Sequence, residues 1–271
     1  MPVLYLILEK AMRIIRYQHN NETARYGWVF GGQVGEVDGD IFGEFRRREV
    51  HIPFQEVKLH APVSPSKIIC VGRNYSEHAR EHGVEVPDIP LLFFKPPSAV
   101  IGHGDTILLP PQSSQVEHEA ELAVVIGKRG RWILPEEARD YVLGYTLAND
   151  VTARDLQRLD GQWTRGKGFD TFCPLGPWIE TQFDTADALL SCRVNGELRQ
   201  MVSTGEMVFS INQLVAFAST IMTLEPGDVI LTGTPAGVGP LHAGDTVEVE
   251  VEELGVLSNP VQSERVGGQI R

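Results

Sequence analysis

The chain changes its hydrophobic rhythm several times, and each change predicts an element. Across residues 12–60, short apolar runs are broken by Gly and Asp. Tyr26-Gly27-Trp28-Val29-Phe30 leads into Gly31-Gly32, and Val37-Asp38-Gly39-Asp40-Ile41-Phe42 holds a D-G turn signal. These runs predict a small antiparallel β cap, which Pro62, Pro65 and two serines close off. From there the rhythm differs. Lys67-Ile68-Ile69-Cys70-Val71-Gly72 predicts a short buried strand, and residues 75–82 predict one or two polar helical turns stopped by Gly83. Leu91-Leu92-Phe93-Phe94-Lys95 and Ile107-Leu108-Leu109 are apolar runs that each stop at a pair of prolines. Residues 119–127 and 141–151 predict two further strands, and residues 246–251 alternate strictly, as a half-buried strand does. Val194-Asn195-Gly196-Glu197 carries the N-G hairpin signature. One amphipathic helix opens on a capping box, Ser210 with Gln213. It continues through Ile211, Leu214, Val215, Ala218, Ile221 and Met222 at the helical period. Pro226-Gly227-Asp228 ends it, and the strand Val229-Ile230-Leu231-Thr232 feeds the loop Gly233-Thr234-Pro235-Ala236-Gly237. The sum is a β-rich α+β protein in three parts: an N-terminal extension (1–11), a small β domain (12–62) and a larger body (63–271).

Composition narrows the functions open to this fold. The chain has 271 residues, 24 of them Lys or Arg and 36 Asp or Glu, for a net charge of −12. Residues 1–60 hold eight of each sign, so the whole excess lies in residues 61–271. An acidic chain repels phosphate backbones, which argues against nucleic-acid binding. No apolar run approaches the roughly 20 residues of a membrane span. Residues 3–8 are apolar, but they are too few for a signal peptide and no basic residue precedes them. Cys70, Cys173 and Cys192 are widely spaced and odd in number, so neither a disulfide framework nor a zinc finger is indicated. A reducing cytoplasm is the expected setting.

The chemistry concentrates in Val116-Glu117-His118-Glu119-Ala120-Glu121-Leu122. Strand side chains alternate faces, so Glu119 and Glu121 point the same way, roughly 7 Å apart, with Glu117 one step further out. Such a pair either faces water or repels until a cation lies between the carboxylates. Leu122 stands where a second His would complete H-E-x-x-H, so a zinc protease is excluded. Asp150 enters a turn after the apolar run 142–147, where it reaches a neighbouring strand's carboxylates or else caps a helix. An all-oxygen trio would favour Mg²⁺ or Mn²⁺. Lys167 lies in Thr164-Arg165-Gly166-Lys167-Gly168, between glycines that let backbone approach a ligand; the alternative is a surface loop lysine. His78 and Glu81, three apart, are either an exposed pair or a general base with its orienting carboxylate. Neither G-x-S-x-G nor a Walker loop is present.

Taken together, these residues resemble the fumarylacetoacetate hydrolase family. The matching blocks are Val71-Gly72-Arg73-Asn74-Tyr75 with His78 and Glu81, Phe93-Phe94-Lys95-Pro96-Pro97, and His118-Glu119-Ala120-Glu121-Leu122. They continue with residues 149–157, Lys167, Asn195-Gly196-Glu197-Leu198-Arg199-Gln200 and residues 231–239. The resemblance implies a mixed β-roll around a central site, usually dimeric, with one Mg²⁺ or Mn²⁺ per subunit held by Glu119, Glu121 and Asp150. It implies that Lys167, Arg154, Gln157 and Thr234 hold the substrate, that Arg73 and Tyr75 adjoin it, and that His78 and Glu81 form a lid dyad. The substrate end that chelates the metal would be a 2-oxo carboxylate. The short N-terminal region departs from the eukaryotic fumarylacetoacetate hydrolases. The bacterial branch that isomerises or decarboxylates 2-hydroxy-dienoic diacids in aromatic catabolism (2-hydroxyhepta-2,4-diene-1,7-dioate isomerase and 5-carboxymethyl-2-oxo-hex-3-ene-1,7-dioate decarboxylase types) is therefore the leading expectation. Oxaloacetate decarboxylase and acylpyruvate hydrolase are the alternatives, and a non-catalytic metal or oxo-acid binding protein is the rival class. A diacid's distal carboxylate would need a cation, for which Arg73, Arg158 and Arg165 are the candidates.

Overall fold

A computed structural model describes residues 11–20, 22–81 and 87–265, with the side chains of residues 78–80 outside that description. The expected N-terminal extension therefore lies, but for Ala11, outside the described residues. The molecule is built mostly of strands in three sheets.

The largest sheet has twelve strands. Its central path runs Phe45–Pro53, Gln33–Gly39, Arg25–Phe30, Arg13–Gln18, Cys173–Glu180, Val142–Asn149, Ala120–Ile126, Val229–Leu231, Ile68–Gly72 and Leu91–Lys95. The N-terminal strands pair in sequence order, and the Gly31-Gly32 turn joins two of them with both φ angles positive, as the twist of a tight hairpin demands. Their sheet does not stop at the cap. Arg13 pairs with Glu180 and Ile14 with Ile179, so the N-terminal strands continue the main sheet. Every residue of Ala120–Ile126 is buried, which explains the unbroken apolar run from Leu122 to Ile126.

A five-stranded sheet packs near this one, in the order Glu197–Ser203, Leu189–Val194, Thr246–Val251, Gly255–Ser263, Ile107–Leu109. The strict alternation of Thr246–Val251 buries Val247, Val249 and Val251. The N-G hairpin forms as expected, with Val194 opposite Glu197 and positive φ at both Asn195 and Gly196. The helix Ile211–Ile221 opens on the capping box of Ser210 and Gln213 and buries Ile211, Leu214, Val215 and Ala218 against the main core. Among the described residues, no helix is long and apolar enough to cross a membrane.

Three registers bring distant parts of the sequence to one end of the main sheet. Ala120 pairs with Asn149, so the residues just beyond them, Glu119 and Asp150, meet: the Asp150 amide donates to the Glu119 carbonyl at 2.8 Å. Val229–Leu231 runs antiparallel to Ala120–Ile126 and carries Gly233 and Thr234 to the same end. Ile68–Gly72 lies parallel to Val229–Leu231 and delivers Arg73 there as well.

Candidate metal and substrate site

Glu119, Glu121 and Asp150 each offer a carboxylate oxygen within 4.8 Å of the others, and all three side chains are buried. The sequence places Glu119 and Glu121 on one continuous strand, but the strand breaks at Glu119, between Val116–His118 and Ala120–Ile126. The reason is local: the Glu119 amide leaves the ladder and donates to the Asn149 side-chain oxygen at 2.9 Å. The break lets Glu119 and Glu121 converge with Asp150 while Glu117 turns to other partners. Asp150 caps no helix; the next helix, Arg154–Asp160, begins after Ala153.

Buried carboxylates need compensation, and three buried cations supply it. Lys167 Nζ stands 2.8 Å from Glu119 Oε2 and 2.7 Å from Asp150 Oδ2. Lys95 Nζ stands 2.6 Å from Asp150 Oδ1 and 3.0 Å from the Val151 carbonyl. Arg154 donates to Glu117 at 2.7 Å, to the Gln157 amide oxygen at 2.6 Å and to Glu119. Thr152 donates to Glu119 at 3.1 Å, and the Gly233 amide donates to Glu121 at 2.6 Å. Four carboxylates, those of Glu117, Glu119, Glu121 and Asp150, thus face three cations. Burial, followed by the charges of Asp150 and Glu119, pushes the Glu121 carboxyl well above the ordinary range. Burial alone would lower Lys167, but Asp150 and Glu119 outweigh it and hold its ammonium above the usual value. A divalent cation fits this donor set. It relieves the repulsion at Glu121, its hard oxygen ligands are already gathered, and it turns a site one charge negative into a site one charge positive.

The carboxylates open on a cavity of about 230 Å³. Arg73, Arg154, Gln157, Arg158, Lys167 and Thr234 line it, together with the aromatic rings of Phe93 and Trp163. The Thr234 hydroxyl donates to the Ala120 carbonyl at 2.9 Å and accepts from Gln200 at 2.8 Å.

Several expectations need correction. Lys167 is not on a loop; it ends the short helix Thr164–Lys167 and is buried. The glycine before it serves helix packing rather than ligand approach, since a Cβ on Gly166 would lie 2.9 Å from the Gln157 backbone. Arg165 is not a cavity residue: it is exposed and paired with Asp160 at 2.8 Å. Tyr75 is buried outside the cavity lining, and its hydroxyl has no hydrogen-bond partner among the described residues. Glu81 ends the helix Ser76–Glu81, and both its carboxylate oxygens accept from the Gly237 amide at 3.2 Å. The side chain of His78 lies outside the described residues.

Two contributors escaped the sequence reading. Lys95 looks like the polar end of an apolar strand; its one signal is its place directly before Pro96-Pro97. Gln200 is buried and braces the site. Its oxygen accepts from the Ala120 amide at 3.1 Å, and its nitrogen donates to Thr234 and to the Pro235 carbonyl at 2.9 Å. Its block, Asn195 to Gln200, is among those that carry the family resemblance, but that block by itself assigns it no role.

Comparison with known proteins agrees with this arrangement. Residues 67–262 match the family model described as fumarylacetoacetate (FAA) hydrolase C-terminal, and residues 12–62 match the model described as Rv2993c-like, N-terminal. The mitochondrial oxaloacetate tautomerase FAHD2B of Bos taurus is 50% identical over 223 residues, covering 78% of this chain and 71% of that protein. The 2-hydroxyhepta-2,4-diene-1,7-dioate isomerase from Mycobacterium marinum superposes with a TM-score of 0.87 at 41% identity, covering 94% of this chain and all of that one. The maleylpyruvate hydrolase from Sphingobium sp. SYK-6, in complex with manganese (II) ion and pyruvate, gives a TM-score of 0.77 at 33% identity, with 94% and 100% covered.

Proposed function

The chain belongs to the fumarylacetoacetate hydrolase family and is an enzyme of that superfamily, and we propose that it catalyses divalent-metal-dependent proton transfer on 2-oxo acids through an enolate. The observation that carries this reading is the buried trio Glu119, Glu121 and Asp150, braced by Lys95, Arg154 and Lys167 beside a cavity. Mg²⁺ or Mn²⁺, one per subunit, is the ion these oxygens suit. When bound, it supplies Lewis acidity toward the 2-oxo oxygen.

The chain's own residues do the rest. Lys167, held between Glu119 and Asp150, adds positive charge where the enolate oxygen develops its negative charge. Arg154 fixes Glu119 and Gln157 in place for the substrate's α-carboxylate. His78 takes a proton from a carbon conjugated with the 2-oxo group and returns it to another carbon, and Glu81, three residues on, is the carboxylate assigned to orient it. Glu81 is itself moored to Gly237, on the loop that carries Thr234.

Relatives named for isomerisation and tautomerisation support proton transfer as the outcome, in the branch that handles 2-hydroxy-dienoic diacids of aromatic catabolism. Decarboxylation, as of oxaloacetate, is the competing reaction: the keto form loses CO₂, the electrons of the broken C–C bond give an enolate, and a proton then quenches it. Acylpyruvate C–C hydrolysis is the second reading; the relative named maleylpyruvate hydrolase supports it. A homodimer in a reducing cytoplasm completes the proposal. The three cysteines are free and buried, which accords with that compartment.

A substrate panel with Mg²⁺ or Mn²⁺ tests the reading. Enol–keto conversion of oxaloacetate, or isomerisation of a 2-hydroxy-dienoic diacid, supports it. Cleavage of acetylpyruvate alone would move the protein to the hydrolases. No metal-dependent turnover of any 2-oxo acid would reduce it to a binding protein.

A further inference from the structure

Four basic side chains line the cavity, and two of them are already spent. Arg154 is engaged by Glu117, Gln157 and Glu119, and Lys167 by Glu119 and Asp150. Arg73 and Arg158 are different. Arg158 donates to the neutral amide oxygen of Gln115 at 3.2 Å. Among the described residues, the guanidinium of Arg73 has neither a hydrogen bond nor an ion pair. A chain with an excess of twelve negative charges thus keeps two arginines at its site without a carboxylate partner.

The backbone at Arg73 adds a second observation. Its φ is +61°, in the left-handed region that glycine and asparagine enter readily but that costs a residue such as arginine. The neighbours enforce that conformation. Asn74 is buried, and its side chain donates to the carbonyls of Phe209 at 3.1 Å and Thr232 at 2.8 Å while accepting from the Phe209 amide at 2.8 Å. On the other side, Gly72 lies so close to Trp163 that a Cβ would be 3.0 Å from the ring. The turn is pinned at both flanks, and position 73 must take the strained angle between them. Strain held in place beside a cavity points to a use for the side chain.

We propose that Arg73, assisted by Arg158, forms a second anion subsite that grips the distal carboxylate of a 2-oxo dicarboxylate. The pair sets a preference for diacids over 2-oxo monoacids of the same length. This inference rests on the function proposed above, in which the triad and Lys167 hold the 2-oxo end. A bidentate arginine–carboxylate contact is strong enough to discriminate, because the monoacid leaves the guanidinium without its partner.

The test measures binding to the full-length protein with Mn²⁺ present. Oxalate reports on the 2-oxo end alone. Length-matched pairs, oxaloacetate with 2-oxobutyrate and 2-oxoglutarate with 2-oxopentanoate, report on the far end. Wild type is expected to favour the diacid of at least one pair by roughly tenfold or more, and Arg73→Gln to erase most of that ratio with oxalate affinity kept. Arg158→Gln should reduce the ratio less. Arg73→Gly is the control for folding: it relieves the strained angle, so it should melt at or above the wild-type temperature while losing the diacid preference. Equal loss for both members of a pair, an unchanged ratio in Arg73→Gln, or no diacid preference in wild type overturns the subsite. Failure of oxalate itself to bind would instead overturn the reading on which the subsite rests.

Discussion

Lys95 and Asp150 form an ion pair wholly withdrawn from solvent, with Nζ 2.6 Å from Oδ1 and neither side chain exposed. Lys167 holds the other oxygen of the same carboxylate at 2.7 Å. Asp150 is thus fixed from two sides before any ion arrives. Removing one partner of a buried pair costs about 3–5 kcal/mol, because the other charge is left without compensation. Because Lys167 still pairs with Asp150 in Lys95→Met, that figure is the upper bound for the loss of unfolding free energy, and Mn²⁺ should restore part of the loss by offering Asp150 a new counter-charge. Urea unfolding with and without Mn²⁺ checks this. A variant as stable as wild type in metal-free buffer would mean that the pair does not constrain the site.

Gly233 makes a second connection. Its φ is +98°, a Cβ there would lie 2.8 Å from that of Asn74, and its amide donates to Glu121 at 2.6 Å. Gly233→Ala should destabilise the fold by about 1–3 kcal/mol through strain and also weaken Mn²⁺ binding, since the hold on Glu121 shifts with the loop. Thermal melts paired with metal titration measure both effects. Loss of stability with metal affinity intact would separate the loop from the ligand.

The pH dependence has a simple component at Asp155. Burial alone would raise its carboxyl, but hydrogen bonds from Ser113, from the Ser114 amide and hydroxyl, and from the Leu156 amide outweigh it and hold the group below the usual value. A carboxyl depressed in the folded state adds stability above its unfolded value, near pH 3.9, and loses it as pH falls through the lower folded one. Asp155→Asn should therefore lose less stability than wild type on acidification from about pH 5 to pH 3. Denaturant midpoints across that range test the claim, and parallel curves for the two proteins would contradict it.

The catalytic role given to His78 predicts a split between chemistry and binding. His78→Ala should lower kcat by about 10²-fold or more while leaving Mn²⁺ and oxalate affinities unchanged. A fall in metal affinity instead would assign His78 to the ligand set.

How much of this was legible in the sequence follows from the range of each interaction. Spacing puts Glu119 and Glu121 two apart and Asp150 at a strand end, which leaves a solvated acidic face and a shared cation both open; the family resemblance is what singles the three out as ligands. The capping box of Ser210 and Gln213, the N-G hairpin and the alternation of Thr246–Val251 are carried by local spacing, and all three formed. Lys95 was missed because its partner lies 55 residues away and a strand-end lysine ordinarily reaches solvent. The pairing of Arg13 with Glu180 has no local signal either, so the continuity of the N-terminal strands with the main sheet could not be foreseen. The helix bearing Lys167 was hidden by Gly166 within it, whose packing role appears only once Gln157 is beside it.

The central claim is that Glu119, Glu121 and Asp150 share one hard dication. Calorimetric titration of Mn²⁺ into wild type and into Glu119→Ala, Glu121→Ala and Asp150→Ala tests it most directly. The account predicts one ion per chain in wild type, bound more tightly when oxalate is present, and loss of that binding in each variant. Wild type that takes up no Mn²⁺, or variants that bind it as wild type does, would contradict it.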